Sequence, residues 1–258
     1  MNNALIGYTG FVGSSLMRQF QFESLFRSTN IKDIQGGSFE TVVCAGAPGQ
    51  KWIANLDPKE DIKKIEYLIA NLKNISCKTF ILISTVDVFK IPIEVDENSI
   101  VDEADLSAYG LHRRLLEKFI ENHFPNHLII RLPGLIGQGL KKNVIYDFLN
   151  NNNLHLIESR GVFQFYPMDN LWTDIQTALK ADLHLVHLTA EPISVADVSL
   201  KGFGRIFDQE LVNTPPKYDM RTIYSKLFQA EGNYQYNMSD TIQTIKAFAQ
   251  SEPITIKP

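Results

Sequence analysis

Near the N-terminus an apolar run, Ala4-Leu5-Ile6, breaks into Gly7-Tyr8-Thr9-Gly10-Phe11-Val12-Gly13, with its glycines spaced G-x-x-G-x-x-G. No other stretch of the chain limits the fold as strongly. The apolar residues that follow, Phe11, Val12, Leu16 and Phe20, recur at helical spacing, so the segment reads as a strand feeding a helix through a tight turn. Glycines let such a turn close and let backbone N–H groups approach a pyrophosphate, which the positive end of the helix favours. The turn is therefore expected to be a dinucleotide site, with Gly7, Tyr8, Gly10, Phe11, Val12 and Gly13 as its wall.

Beyond the turn, apolar runs alternate with amphipathic stretches. Strands are expected at 3–7, 24–27, 40–46, 79–84, 127–132 and 184–189, and helices at 11–20, 57–74, 106–123 and 239–250. In the first long helix Ile62, Ile65, Leu68, Ile69 and Leu72 fall on one face. Thr79-Phe80-Ile81-Leu82-Ile83 is instead a continuous apolar run, the pattern of a strand covered on both sides. Strands of this kind separated by helices predict an α/β fold, a doubly wound Rossmann-type parallel sheet that binds its ligand where the strands end. The link across 28–39, with Gly36-Gly37 in its middle, is too short for a full crossover helix, so an irregular connection is expected there. Past residue 190 the pattern loosens, and Pro215-Pro216 interrupts it. The expected organisation is one compact unit: a dinucleotide-binding core of about 1–135 plus 180–192, interwoven with a smaller substrate-binding portion of about 136–179 and 193–258.

Composition excludes several classes. With 258 residues and 44% hydrophobic content the chain can bury a large core with a small appendage. A net charge of −4 supplies no basic field for nucleic acid. No apolar stretch reaches the roughly 18 residues of a membrane span. Cys44 and Cys77 lack the paired spacing of a metal site or disulfide framework, and Cys44 lies in an apolar strand, where a buried thiol is expected. These features predict a cytoplasmic protein without metal, nucleic acid or membrane partners.

Four segments, in order and spacing, make the chain similar to the extended short-chain dehydrogenase/reductases. The glycine turn is the first. Ser84-Thr85-Val86-Asp87-Val88-Phe89, after a buried strand, resembles the family's Ser-Ser/Thr-x-x-Val-Tyr/Phe segment. Tyr109-Gly110-Leu111-His112-Arg113 falls where the family has Tyr-x-x-x-Lys at a helix start. Arg131-Leu132-Pro133-Gly134-Leu135-Ile136-Gly137-Gln138-Gly139-Leu140 resembles the strand and loop that cover the nicotinamide and reach the substrate. A fainter match is Phe165-Tyr166-Pro167-Met168-Asp169-Asn170-Leu171. Within the family the chain resembles the NAD(P)-dependent epimerase/dehydratase group, which acts on nucleotide-activated sugars, and its length is nearest to the 4-keto-sugar reductases.

The resemblance implies hydride transfer to a ketone, with Tyr109 as acid (base in reverse), Thr85 bonding the same oxygen, and Ser84 bracing the cofactor or the turn. It also exposes a departure, since Arg113 stands where the family has lysine. Arg113 keeps a positive charge one helical turn from Tyr109, but a guanidinium is planar and cannot give up its proton. A working variant, a slower enzyme, and a non-catalytic NADP-binding relative all remain open. The neighbouring His112 is expected to point away from the Tyr109–Arg113 face. Trp172 is expected to pack.

Cofactor choice rests on the end of the second strand, where Arg27-Ser28-Thr29-Asn30 offers no carboxylate for a ribose. Arg27 and Ser28 suit a 2′-phosphate, so NADP(H) is expected over NAD(H). Ala45-Gly46-Ala47 after the third strand is small enough to lie against the adenosine, and Pro133 and Gly134 resemble residues beside the nicotinamide. For the substrate, Lys141 and Lys142 suit a diphosphate, with Gln138 and Asn143 beside them, while Gln164 and Tyr166 lie where the family contacts sugar or base. The expected activity is that of an NADP(H)-dependent oxidoreductase on a keto-sugar, a nucleotide-sugar, with no metal; a nucleotide-sugar epimerase retaining NAD(P) fits the same residues. A dehydratase ranks lower, because Val86 rather than an acid follows Thr85. The family often pairs through the tyrosine helix; here that helix carries His112, Arg113, Arg114, Glu117 and Lys118, which leaves a homodimer open.

Overall fold

A computed structural model describes residues 2–252; the last part of the expected smaller portion, 253–258, lies outside the described residues. The chain divides into two compact units, one of 1–90, 98–132 and 172–186, the other of 91–97, 133–171 and 187–258.

The first unit holds the sheet. Its elements in chain order are β1 (Asn3–Ile6), α1 (Phe11–Gln19), β2 (Ser24–Phe26), β3 (Ser38–Cys44), α2 (Lys51–Leu56), α3 (Pro58–Leu72), β4 (Ser76–Thr85), α4 (Ala108–His123), β5 (His127–Leu132), α5 (Leu171–Lys180) and β6 (Leu185–His187). The spatial order is β2-β1-β3-β4-β5-β6. Pairing is parallel between β1 and β2, β1 and β3, β3 and β4, and β4 and β5. Burial explains why the strands read as continuous apolar runs. Ala4, Val42, Phe80, Leu82 and Ile129 join one core cluster with Ile65, Leu68 and Leu72 of α3 and Leu116 and Ile120 of α4. The alternate residues Leu5, Val43, Ile81 and Leu128 are equally enclosed, so both faces of the sheet are covered. Each of the larger side chains, Ala4 aside, contributes about 1.5–3 kcal/mol on burial.

Strand order reverses between β1 and β3, which is where a doubly wound sheet takes its ligand. Only one strand lies outside β1. The link 27–37 explains this: it forms a single 3-10 turn at Ile31–Ile34 and passes through Gly36 at φ +72°, with no room for a further helix and strand. Two elements depart from the sequence reading. The loop after β3 contains an unforeseen short helix, α2. Moreover α5, expected in the smaller portion, belongs to the sheet unit, because Trp172 at its start stacks on Phe20 at 4.2 Å and takes the Gln19 side chain on its N–H at 2.9 Å.

The second unit is built of short pairs. Strand Gly134–Ile136 runs parallel to Phe165–Pro167, Ile193–Ser194 antiparallel to Val162–Phe163, and Ile93–Val95 parallel to Asp219–Met220. That last pairing draws 91–97 out of the sheet unit. Helix Met238–Ser251 closes this unit's sequence and starts at a reciprocal cap between Asn237 and Asp240.

Candidate active site

The turn after β1 is closed to side chains. Gly7 has φ +85°, and a Cβ on it would lie 2.3 Å from the Ala45 carbonyl oxygen; a Cβ on Gly13 would lie 2.1 Å from that of Gly7. The two loops at the reversal point thus touch backbone to backbone, as the small residues Ala45, Gly46 and Ala47 allow. Gly10 caps α1 without a side chain to meet the first-turn N–H groups, so those donors suit a phosphate. Beyond β2, Asn30 takes the Arg27 N–H at 2.7 Å and shapes the turn. Arg27 and Ser28 are exposed, and the Arg27 guanidinium lies 6.0 Å from the centre of the Tyr8 ring. This cradle fits a dinucleotide.

Further along the same sheet edge, Thr85 ends β4. Its hydroxyl accepts from the Asp87 N–H at 3.2 Å and donates to the Asp87 carboxylate at 3.4 Å. Tyr109 stands in the first turn of α4, capped by Ser107. A Cβ on Gly110 would lie 2.0 Å from the Asp87 carbonyl oxygen, so only glycine lets the helix seat here. That contact brings Tyr109 to Thr85. Burial pushes the Tyr109 phenol above its ordinary pKa; Arg113 opposes this, Asp87 adds to it, and a Thr85 hydrogen bond and Lys51 oppose it without prevailing. The phenol therefore keeps its proton at neutral pH.

Arg113 does not present donors to that phenol. Its guanidinium is only 3% exposed and grips Asp61 of α3 through both terminal nitrogens, one at 3.0 Å. It also donates to the carbonyl oxygens of Pro48 and Tyr109. What Tyr109 receives is the flat face of the cation, 4.0 Å from its ring centre. His112, expected to point away from Arg113, turns to the same carboxylate, with Nδ1 at 2.7 Å from Asp61. Burial works against ionisation of Asp61, but hydrogen bonds from Arg113 and His112 hold its carboxyl below the usual range.

Ser84 is also engaged elsewhere. Its hydroxyl donates to Glu117 at 2.5 Å, and Glu117 takes Nε and Nη2 of Arg131 at 3.0 and 2.8 Å and Nη1 of Arg114 at 2.9 Å. It braces α4 against β4 and β5 rather than a cofactor. Cys44 is buried, which pushes its thiol up to about 11, so it is inert.

Sequence reasoning missed two residues at this edge. Lys51 of α2 pairs with Asp87 at 2.7 Å, and Asn55, one turn on, takes the Tyr109 N–H at 3.0 Å. Asp87 was legible beside Thr85. Nothing in local spacing marks Lys51 or Asn55, nor Asp61.

In the second unit the predicted substrate residues separate. Gln138, Lys141 and Lys142 are exposed, before helix Val144–Asn150. Asn143 instead caps that helix: its side-chain oxygen accepts from the Ile145 and Tyr146 N–H groups, and its amide donates to Leu135. Gln164 is fully committed inside, donating to Thr189, Ala190 and Met220 and accepting the Met220 N–H. Tyr166 is buried against Tyr236. These three are therefore structural, since enclosed or saturated polar groups have no surface to offer. Pro133 is buried, and Gly134, directly after it, lies against the Gln164 backbone.

No protein-family model and no curated protein sequence matches the chain. Solved structures do. A dTDP-4-dehydrorhamnose reductase from Yersinia enterocolitica superposes with TM-score 0.74 at 14% identity, over 97% of this chain and 99% of that one. The same enzyme from Bacillus anthracis, in complex with NADP, gives 0.71 at 13% identity over 98% and 99%. UDP-glucose 4-epimerase from Thermotoga maritima, with UDP-glucose, gives 0.69 at 16% identity over 97% and 98%. The chain has their fold. Among the described residues, no helix is long and apolar enough to cross a membrane.

Proposed function

We propose that the chain is an NADP(H)-dependent reductase of a keto-sugar carried on a nucleotide. The observation that carries this reading is the meeting of Thr85 and Tyr109 on the sheet edge that also holds the glycine cradle. Gly7, Gly10 and Gly13 would hold the pyrophosphate, Ala45–Ala47 the adenosine, and Arg27 and Ser28 a 2′-phosphate. When bound, NADPH would supply the hydride for the ketone carbon. Tyr109 gives its proton to the carbonyl oxygen as negative charge develops there, and the Thr85 hydroxyl donates a second hydrogen bond to it. A phenol held protonated by burial is in the form a reductase needs. Within the second unit, the exposed Lys141 and Lys142 suit a diphosphate, with Gln138 beside them.

The test is a fluorescence titration with NADPH and NADH, then NADPH oxidation with a 4-keto nucleotide-sugar. The reading requires tighter NADPH binding and stoichiometric oxidation. Binding of neither nucleotide overturns it. Cofactor retained through purification, with no net oxidation, moves the same site to an epimerase.

A further inference from the structure

We propose that Lys51, on the short helix α2, is a second cation of the Tyr109–Thr85 pair beside Arg113, supplying the rotatable ammonium that the tyrosine helix lacks, and that Asp87 positions it. The proposal rests on the reading of Tyr109 as the proton donor. It starts from what Arg113 cannot do. That guanidinium spends both terminal nitrogens on Asp61 and on the carbonyl oxygens of Pro48 and Tyr109, leaving only its buried Nε without a hydrogen bond, and its charge is matched by a carboxylate shared with His112. Its charge favours the ionised phenol across the ring face, but its terminal donors are held away from a second ligand.

Lys51 is also paired with a carboxylate, but it differs in exposure and in the geometry of its donors. Lys51 and Asn55 are four apart, so they share one face of α2. Asn55 binds the backbone N–H of Tyr109 itself, and Lys51 reaches Asp87. Asp87 in turn holds the Thr85 hydroxyl through its other carboxylate oxygen, and its own carbonyl lies against Gly110. Residues from α2, α4 and the end of β4 therefore converge at one point, through contacts that do not involve Arg113. The Lys51 side chain is 44% exposed, against 3% for Arg113, so the ammonium stays within reach of a ligand. Charged groups facing Tyr109 from its own helix and its neighbours are thus Arg113, paired with Asp61 beside His112, and Lys51, paired with Asp87. Only the second cation is a compact ammonium with rotatable donors. When Tyr109 has given up its proton, Lys51 stabilises the phenolate that remains.

The test titrates Tyr109 directly. Tyrosinate absorbance is followed with rising pH in each protein and in its Tyr109→Phe counterpart, and the difference isolates Tyr109. Lys51→Met is expected to move the midpoint up by roughly 0.5–1 unit, Asp87→Asn to move it down, and the double variant to return near the starting value. Lys51→Arg, which keeps the charge, is expected to leave the midpoint in place. The alkaline limb of the pH profile of turnover should shift with Lys51→Met in the same direction. A midpoint unmoved by Lys51→Met in protein that binds NADPH overturns the role of Lys51 and leaves the functional reading standing. Wild-type protein that binds neither nucleotide overturns the functional reading first, and this proposal with it.

Discussion

Glu117 and Asp87 are both carboxylates paired with cations beside α4, yet their surroundings differ. Glu117 is fully buried; it takes two bonds from Arg131, whose side chain is 3% exposed, and further bonds from Arg114 and Ser84. Asp87 sits at the rim, holding the half-exposed Lys51 at 2.7 Å and the Thr85 hydroxyl. Burial with every lone pair used makes the first pair rigid, and breaking it would strand a charge away from water. Exposure makes the second pair weak as a brace, and open to a ligand. The same helix is thus anchored from behind by charges that do not move, and served in front by charges that can. Arg113 belongs with the anchors, although the motif position suggests the opposite.

Four experiments can break or sharpen this contrast. Tyr109→Phe keeps the ring packed and is expected to lower turnover by about 100- to 10,000-fold, with the melting temperature unchanged; a large loss of stability would put Tyr109 among the anchors. Glu117→Ala is expected to remove about 3–5 kcal/mol of stability, read by denaturant unfolding, because the buried Arg131 loses both bonds to that carboxylate. Arg27→Ala is expected to weaken NADPH about tenfold, close to the 1.4 kcal/mol of one charge-assisted contact, and to leave NADH untouched. Lys51→Met is expected to change unfolding free energy by less than about 1 kcal/mol, so a loss like that of Glu117→Ala would erase the difference between front and back.

Acid unfolding probes the anchors in another way. The Asp61 carboxyl lies below its ordinary value of 3.8 in the folded chain. A depressed carboxyl contributes stability in full above its unfolded pKa and loses it as pH falls through the folded one. The Arg113–Asp61 contribution should therefore be complete at pH 6 or so and drain away below about pH 4. In Asp61→Asn, unfolding curves measured across that range should lose this component of the pH dependence.

Much of the fold was legible because it rests on local periodicity. The strands around Ile6, Cys44, Leu82 and Ile130 are continuous apolar runs, and α3 repeats its apolar residues every third or fourth position. Gly7 and Gly13 were legible because a turn against another backbone tolerates no Cβ. The short helix α2 was not, since six residues after a Pro-Gly loop carry too little periodicity to register. In the second unit the motif resemblance pointed to Gln164, Asn143 and Tyr166 as binding residues. A polar side chain reads alike in sequence whether it faces a ligand or satisfies a buried backbone, and here all three are used by the unit itself.

By itself the sequence determined the glycine cradle, the strand and helix alternation, the absence of a full crossover helix between β2 and β3, and the positions of Thr85 and Tyr109. Each follows from sterics or burial acting over a few neighbouring residues. Only the tertiary structure decided which charges meet: Asp61 takes Arg113 from 52 positions away, and Asp87 takes Lys51 from 36. Ion pairs depend on distance through space and on burial, and neither is written in the spacing of residues along the chain.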